Sequence, residues 1–194
     1  MLKNLARLIS LLSSPFVLFL PTPFILVFKE TGNISYSLKW TFFSYIFLFS
    51  VIFFVLLGML VGFFSDYDVS KKEERPKLFA FVGIITFLYL GSLILLNGPK
   101  VLYLIIFGII LGVFTISLVN NWIKASIHTA TVSAFTLSLV ILFGYMFIPI
   151  LLLIPAMAWA RVKIKKHTPL ETLAGGFLGV ILTIIVYMIG RFIL

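Results

Sequence analysis

The chain has 194 residues, of which 62% are hydrophobic and only 11% are charged. A soluble globular domain carries about 25% charged residues, so this composition excludes a soluble fold and indicates a polytopic membrane protein. The net charge of +9 is confined to a few short loops, which favours lipid headgroups or phosphorylated ligands over nucleic acid. Cysteine is absent, which excludes disulfides, thiolate catalysis and sulfur ligands for a metal.

The first half of the chain predicts four membrane spans. Residues 1–28 carry two basic residues before an apolar run that three prolines interrupt, and no small-residue cleavage site follows, so we expect a retained, kinked first span. Residues 40–64 form an unbroken apolar segment of 25 residues, long enough to cross a bilayer. The apolar runs 78–96 and 101–119 are separated only by residues 97–100, which predicts a helical hairpin.

The second half predicts three further spans, at 128–143, 146–160 and 170–193. We therefore expect an all-α fold, a polytopic membrane helical bundle with six or seven transmembrane helices, and a single domain over residues 1–194. Glycines four residues apart allow membrane helices to approach closely, and we expect them to pack within the bundle. These pairs are Gly58/Gly62, Gly108/Gly112 and Gly175/Gly179.

One segment, from Ala160 to Glu171, gathers basic, imidazole and carboxylate groups at the end of an apolar run. Pro169 stands where a new helix begins, and Glu171 lies one turn beyond His167, so we expect the carboxylate to reach the imidazole. A carboxylate on one ring nitrogen makes the other a better nucleophile, and the Arg161 guanidinium is suited to phosphate oxygens. A basic interface loop with an incidental histidine is the alternative interpretation of this segment alone.

The loops that contain Arg75, His128 and His167 are separated by two predicted crossings each, so they emerge on the same membrane face. Lys124 and Ser126 lie on that face too, and the clustering predicts a composite site. Eleven of the 15 Lys and Arg residues fall on this side, which places it in the cytoplasm by the positive-inside rule, unless some of these charges serve to bind phosphate.

These loops supply the parts that hydrolysis of a phosphomonoester without a metal requires. His167, oriented by Glu171, attacks phosphorus to give a phosphohistidine, while His128 protonates the leaving alkoxide and later activates water. The phosphoryl oxygens are held by cationic and hydroxyl side chains: Arg75, Arg161, Ser126 and a lysine.

The same segments resemble signatures of the type 2 phosphatidic acid phosphatase superfamily. Arg161, five residues, His167, three residues and Glu171 keep the spacing of Ser-Arg-x5-His-x3-Asp, with Ala160 for serine and glutamate for aspartate. The segment Ala125–His128 is similar to Pro-Ser-Gly-His, with its proline and glycine replaced.

The first signature, Lys-x6-Arg-Pro, is matched by Arg75 and Pro76, but Asp68 stands where the lysine would be. Lys72, or else Lys71, lies one turn before Arg75 and is our candidate substitute. Over about residues 66–180, the resemblance implies a helical cell-membrane phosphatase for a lipid or polyprenyl phosphate or diphosphate, with no metal or other cofactor.

The sequence leaves two other functions open. Asp66-x-Asp68 beside an Arg-Pro resembles part of the magnesium-diphosphate motif of intramembrane prenyltransferases, although such enzymes have two acidic clusters and one is evident here. A catalytically degenerate lipid-binding membrane protein is the other alternative. The departures that motivate it are Asp68, Ala125, Ile127 and Ala160.

Overall fold

The computed structural model describes residues 2–193, with side chains as far as residue 191. Residue 1, which belongs to the predicted first span, and residue 194, the last of the predicted domain, lie outside the described residues. The α-helices are, in chain order, α1 (Leu2–Leu12), α2 (Pro15–Phe19), α3 (Thr22–Thr31), α4 (Ile34–Leu60), α5 (Arg75–Leu95), α6 (Lys100–Val119), α7 (Ile127–Phe143), α8 (Leu153–Lys163) and α9 (Pro169–Ile193). Two 3₁₀ segments, Lys72–Glu74 and Tyr145–Leu152, precede α5 and α8, and the described residues contain no β-strand.

The predicted all-α membrane architecture is confirmed. Within residues 2–193, six helical segments are long and apolar enough to cross a bilayer, and α7 is a shorter apolar helix of 17 residues. Many large apolar side chains on these helices are exposed, as lipid-facing surfaces require. The six segments are Leu2–Phe19, Ile34–Leu60, Lys72–Leu95, Lys100–Val119, Tyr145–Lys163 and Pro169–Arg191.

The first span differs from the single kinked helix expected over residues 1–28. It is divided into α1, α2 and α3, with breaks before Pro15 and around Pro21. Proline lacks the N–H that a helix interior needs, but at a helix start this group has no intrahelical partner. Each break therefore falls where a proline can begin a new helix.

The second span also differs, because α4 runs over Ile34–Leu60 where we predicted 40–64. Asn33 caps its start, its side-chain oxygen accepting from the Tyr36 N–H at 2.9 Å, so the polar first turns are helical. At the other end Gly62 has a φ of +79°, and the Phe64 N–H donates to the Gly58 carbonyl at 3.1 Å. The chain thus turns back on α4 within the apolar run, which composition alone does not reveal.

The chain divides into two compact units, the central unit (residues 19–117) and the terminal unit (residues 2–18 and 118–193). The core of the central unit joins α3, α4, α5 and α6 through buried side chains. They are Val27, Trp40, Tyr89, Leu93, Leu102 and Ile106. The predicted turn between α5 and α6 is present, with Asn97 at a φ of +50° and the Gly98 N–H donating to the Leu93 carbonyl at 2.8 Å.

The terminal unit is built on the close approach of α7 and α9. A Cβ atom on Gly175 would lie 2.4 Å from the Ser126 carbonyl oxygen, and one on Gly179 would lie 2.2 Å from that of Ala130. Real Cβ atoms do not come so close to a carbonyl oxygen, so these two glycines allow the backbones to touch. The predicted packing role is confirmed for this pair.

The corresponding prediction is wrong for Gly58/Gly62 and does not hold at Gly112. Gly58 makes room for the Phe64 ring of the returning chain, and Gly62 serves the turn itself. A Cβ atom on Gly112 would meet no atom within 4 Å.

We predict that Gly179→Ala destabilises the protein and that Gly112→Ala, the matched control in α6, does not. Forcing the α7 and α9 backbones apart should cost about 3 kcal/mol, whereas alanine at the open position gains helix propensity. Thermal unfolding in detergent should show a midpoint lower by roughly 5–10 °C for Gly179→Ala. Equal midpoints for the two variants would contradict the packing described here.

Candidate functional site

The centre of the candidate site is the pair His167 and Glu171 at the start of α9. His167 Nδ1 lies 2.8 Å from Glu171 Oε2, and the histidine side chain is only 2% exposed. Glu171 Oε2 also accepts from the Thr168 N–H at 3.2 Å, while Thr168 Oγ1 accepts from the Glu171 N–H at 3.3 Å. This reciprocal arrangement is a capping box, which fixes the carboxylate before it meets the imidazole. The expected contact between Glu171 and the histidine ring is confirmed.

A tight turn at the end of α8 explains the spacing between Arg161 and His167. The Arg161 carbonyl accepts from the N–H groups of Lys166 at 3.0 Å and His167 at 3.4 Å, and Lys165 N–H donates to Val162 at 3.0 Å. Lys165 adopts a left-handed φ of +62°, the conformation that such helix ends require. The five intervening residues therefore complete α8 and return the chain so that His167 lies beside the last turn containing Arg161.

Arg161 is 1% exposed, and a residue from the far end of the sequence holds it. Its Nη1 donates to Ser10 Oγ in α1 at 2.9 Å. Helix α1 packs on α8 with its small residues, Ala6 and Ser10, turned inward. Its leucines are turned outward, as expected of a helix in an apolar solvent: Leu2, Leu5, Leu8, Leu11 and Leu12.

The first turn of α7 lies against the first turn of α9. The Ser126 N–H donates to the Glu171 carbonyl at 3.0 Å, a contact that the missing side chain of Gly175 allows. Ser126 caps α7, its Oγ accepting from the Thr129 N–H at 3.3 Å and from Thr129 Oγ1 at 3.0 Å. Both lone pairs are thus occupied, and the hydroxyl hydrogen remains as its donor. His128, two residues further on, is also buried.

The terminal unit therefore gathers five of the seven predicted site residues where α7 and α9 begin and α8 ends. They are Ser126, His128, Arg161, His167 and Glu171. An ionised carboxylate only accepts hydrogen bonds, so His167 Nδ1 carries the proton in this pair and a neutral ring keeps its lone pair on Nε2. Such an imidazole is suited to nucleophilic attack or proton transfer.

The other two predicted residues, Lys72 and Arg75, belong to the central unit. The Arg75 N–H donates to the Lys72 carbonyl across a single 3₁₀ turn, so the two side chains leave the same side of that turn. Arg75 is 2% exposed and Lys72 is half-buried. Lys71 is exposed, and its ammonium lies 3.6 Å from Glu74 Oε1.

The acidic residues of the same loop organise its backbone. Asp66 Oδ1 accepts from the N–H groups of Asp68 at 3.0 Å and Ser70 at 3.3 Å, and from Ser70 Oγ at 3.0 Å. Glu74 Oε2 accepts from the Ser65 N–H at 3.0 Å, which closes the loop. Within residues 2–193, no three His, Asp or Glu side chains are grouped so that they suit a metal ion. Asp66 thus has a structural role in this loop.

Sequence reasoning missed two residues that shape the site. One is Thr168, which forms a capping box with Glu171 three residues later. The sequence contains this signal, a threonine followed by proline and then glutamate at the third position. Ser10 carried no such signal, because its contact with Arg161 joins residues 151 positions apart.

Comparison of the chain with protein-family models, with curated proteins and with solved structures finds no match in any of the three. The resemblance to the phosphatase superfamily therefore rests on the three sequence signatures around Arg75, His128 and His167.

We predict that Ser10→Ala lowers the stability of the protein in detergent. Loss of a buried acceptor for a guanidinium should cost about 1.5–3 kcal/mol. The control is Ser92→Ala, because the Ser92 hydroxyl donates to the carbonyl of Leu88 in its own helix and, among the described residues, has no other partner. Thermal unfolding should separate the two variants, and an unchanged midpoint for Ser10→Ala would contradict a structural role for this contact.

Proposed function

We propose that the protein is a membrane phosphatase that hydrolyses a lipid or polyprenyl phosphate or diphosphate through a phosphohistidine on His167. The observation that carries the proposal is the 2.8 Å contact between Nδ1 of the buried His167 and Glu171 Oε2. A structural histidine needs no dedicated carboxylate, whereas a nucleophilic imidazole needs its tautomer and orientation fixed.

The proposed reaction has two steps. In the first, the lone pair of His167 Nε2 attacks phosphorus, the bond to the lipid oxygen breaks, and His128 gives its proton to the leaving alkoxide. In the second, neutral His128 takes a proton from water, the water oxygen attacks phosphorus, and the phosphorus–nitrogen bond breaks. Inorganic phosphate leaves, and both imidazoles return to their starting states.

Charge stabilisation is assigned to the basic residues. In the transition state, the phosphoryl group carries negative charge on its outer oxygens. Hydrogen-bond donors that are already fixed in position stabilise this charge and lower the barrier. Arg161 is such a donor, because Ser10 holds its guanidinium and the turn after α8 holds its backbone. From the sequence signatures we also assign Arg75, Lys72 and the Ser126 hydroxyl to phosphate binding.

The membrane setting supports a lipid as the substrate. The residues of the terminal unit that we assign to the reaction lie at helix ends, where a headgroup meets the protein, and the helices continue as apolar surfaces that suit acyl or prenyl chains. We place the protein in the cell membrane with these helix ends toward the cytoplasm, since most of the basic residues lie on that side of the predicted topology.

We predict that His167→Ala abolishes phosphate release from a short-chain lipid phosphate in detergent, because no other group supplies the nucleophile. His128→Ala should lower the rate by about 10²–10⁴-fold, the usual contribution of a general acid and base. The matched control is Lys163→Ala, an exposed residue at the end of α8 that should retain full activity. Full activity in a folded His167→Ala variant would overturn the mechanism.

We also predict that hydrolysis continues in an excess of a metal chelator. The proposed reaction uses only side chains of the protein and water, whereas a prenyltransferase-like enzyme depends on magnesium bound to diphosphate. Activity lost on chelation and restored by magnesium would favour the second class of enzyme.

A further inference from the structure

We propose that Lys124 is a further phosphate-binding residue, contributed by the terminal unit. This inference rests on the proposed function and extends it by one residue. Lys124 Nζ donates to the Lys166 carbonyl oxygen at 3.2 Å. That carbonyl belongs to the peptide bond that joins Lys166 to His167, so the ammonium lies one peptide group from the proposed nucleophile.

Lys124 also lies close to the second imidazole along the chain. It comes two residues before Ser126, the residue that caps α7, and four before His128. Because the Ser126 N–H is bonded to the Glu171 carbonyl, this loop is fixed against the start of α9. The ammonium is thus attached to both loops that carry an imidazole, and all of these contacts lie within the terminal unit.

The charged residues of the terminal unit are almost all basic. Glu171 is the only acidic residue in positions 2–18 and 118–193, and its carboxylate is engaged by His167 and Thr168. The same positions carry eight Lys and Arg residues. They are Lys3, Arg7, Lys124, Arg161, Lys163, Lys165, Lys166 and Arg191. A phosphoryl group supplies the negative charge that the sequence of this unit lacks.

The Lys124 side chain itself has capacity to bind. It is half-buried, and among the described residues its ammonium makes the one hydrogen bond to Lys166 and no ion pair with a carboxylate. An ammonium has three N–H groups, so two remain for phosphate oxygens. Partial burial strengthens such a contact, because water competes less there than at an open surface. Lys71, by contrast, is exposed and its ammonium is near Glu74.

The test compares Lys124→Met with Lys163→Met in the full chain in detergent. Methionine keeps much of the aliphatic stem of lysine and removes the charge. Two quantities are measured: kcat/KM for a short-chain lipid phosphate, and the dissociation constant of orthovanadate, a phosphate mimic, from the shift it causes in the thermal midpoint. Lys124→Met should lower kcat/KM and raise the vanadate dissociation constant, each by about 10–100-fold, the range for hydrogen bonds to a charged group. Lys163→Met should leave both quantities unchanged.

The outcomes separate this inference from the function beneath it. If the wild type hydrolyses the lipid phosphate and folded Lys124→Met matches it in both measurements, the role of Lys124 is overturned and the phosphatase stands. If the wild type binds vanadate through Lys124 but releases no phosphate, the anion site stands and the proposed hydrolysis fails. Absence of both vanadate binding and hydrolysis in the wild type overturns both.

A merely structural role for Lys124 is tested by Lys124→Arg. Arginine keeps a cation and a donor for the Lys166 carbonyl, so it should restore most of the vanadate affinity that Lys124→Met loses. If Lys124→Met has a lower thermal midpoint without vanadate but the same vanadate constant, the residue serves only to hold the loop and the inference is overturned.

Discussion

The site depends on Glu171, which contacts the segment before α9 through its carboxylate and the start of α7 through its backbone carbonyl. Its side chain meets His167 and caps α9 through Thr168, and its backbone carbonyl accepts from the Ser126 N–H at the start of α7. The last contact is possible because Gly175, one turn further along α9, leaves room for the backbone of α7. Gly175 thus allows the start of α7 to lie against the first turn of α9, next to His167.

The membrane explains why polar groups form the interior of this unit. Lipid is as apolar as leucine, so leucines gain little by burial, whereas hydroxyl and guanidinium groups need partners inside the protein. Helix α1 shows this inversion, with Ser10 inward against Arg161 and its leucines outward. Along α7 the buried face likewise carries hydroxyl residues. They are Ser126, Thr129 and Thr136, whose hydroxyl groups all have partners.

Local sequence patterns predicted the features that local physics controls. The apolar runs gave the membrane helices, and the one-turn spacing from His167 to Glu171 gave the imidazole–carboxylate contact. The ends of α4 were not predicted. Its start is set by the Asn33 cap, in a polar segment, and its end by the turn at Gly62, inside an apolar run. The Ser10–Arg161 contact was missed because no local rule links residues so far apart in the chain. The glycine pairs show the same limit, since identical spacing served packing at Gly175/Gly179 and a turn at Gly58/Gly62.

The most direct test of the nucleophilic role of His167 is to map the phosphoryl group during turnover. The protein would be mixed with a lipid phosphate, quenched in base, which preserves phosphohistidine, and digested for mass spectrometry of the peptide containing residues 161–171. The mechanism predicts a phosphoryl group on His167 that acid removes and that is absent from the peptide when His167 is replaced by alanine. Phosphate released by an active enzyme with no phosphoryl group on this peptide at any time point would contradict it.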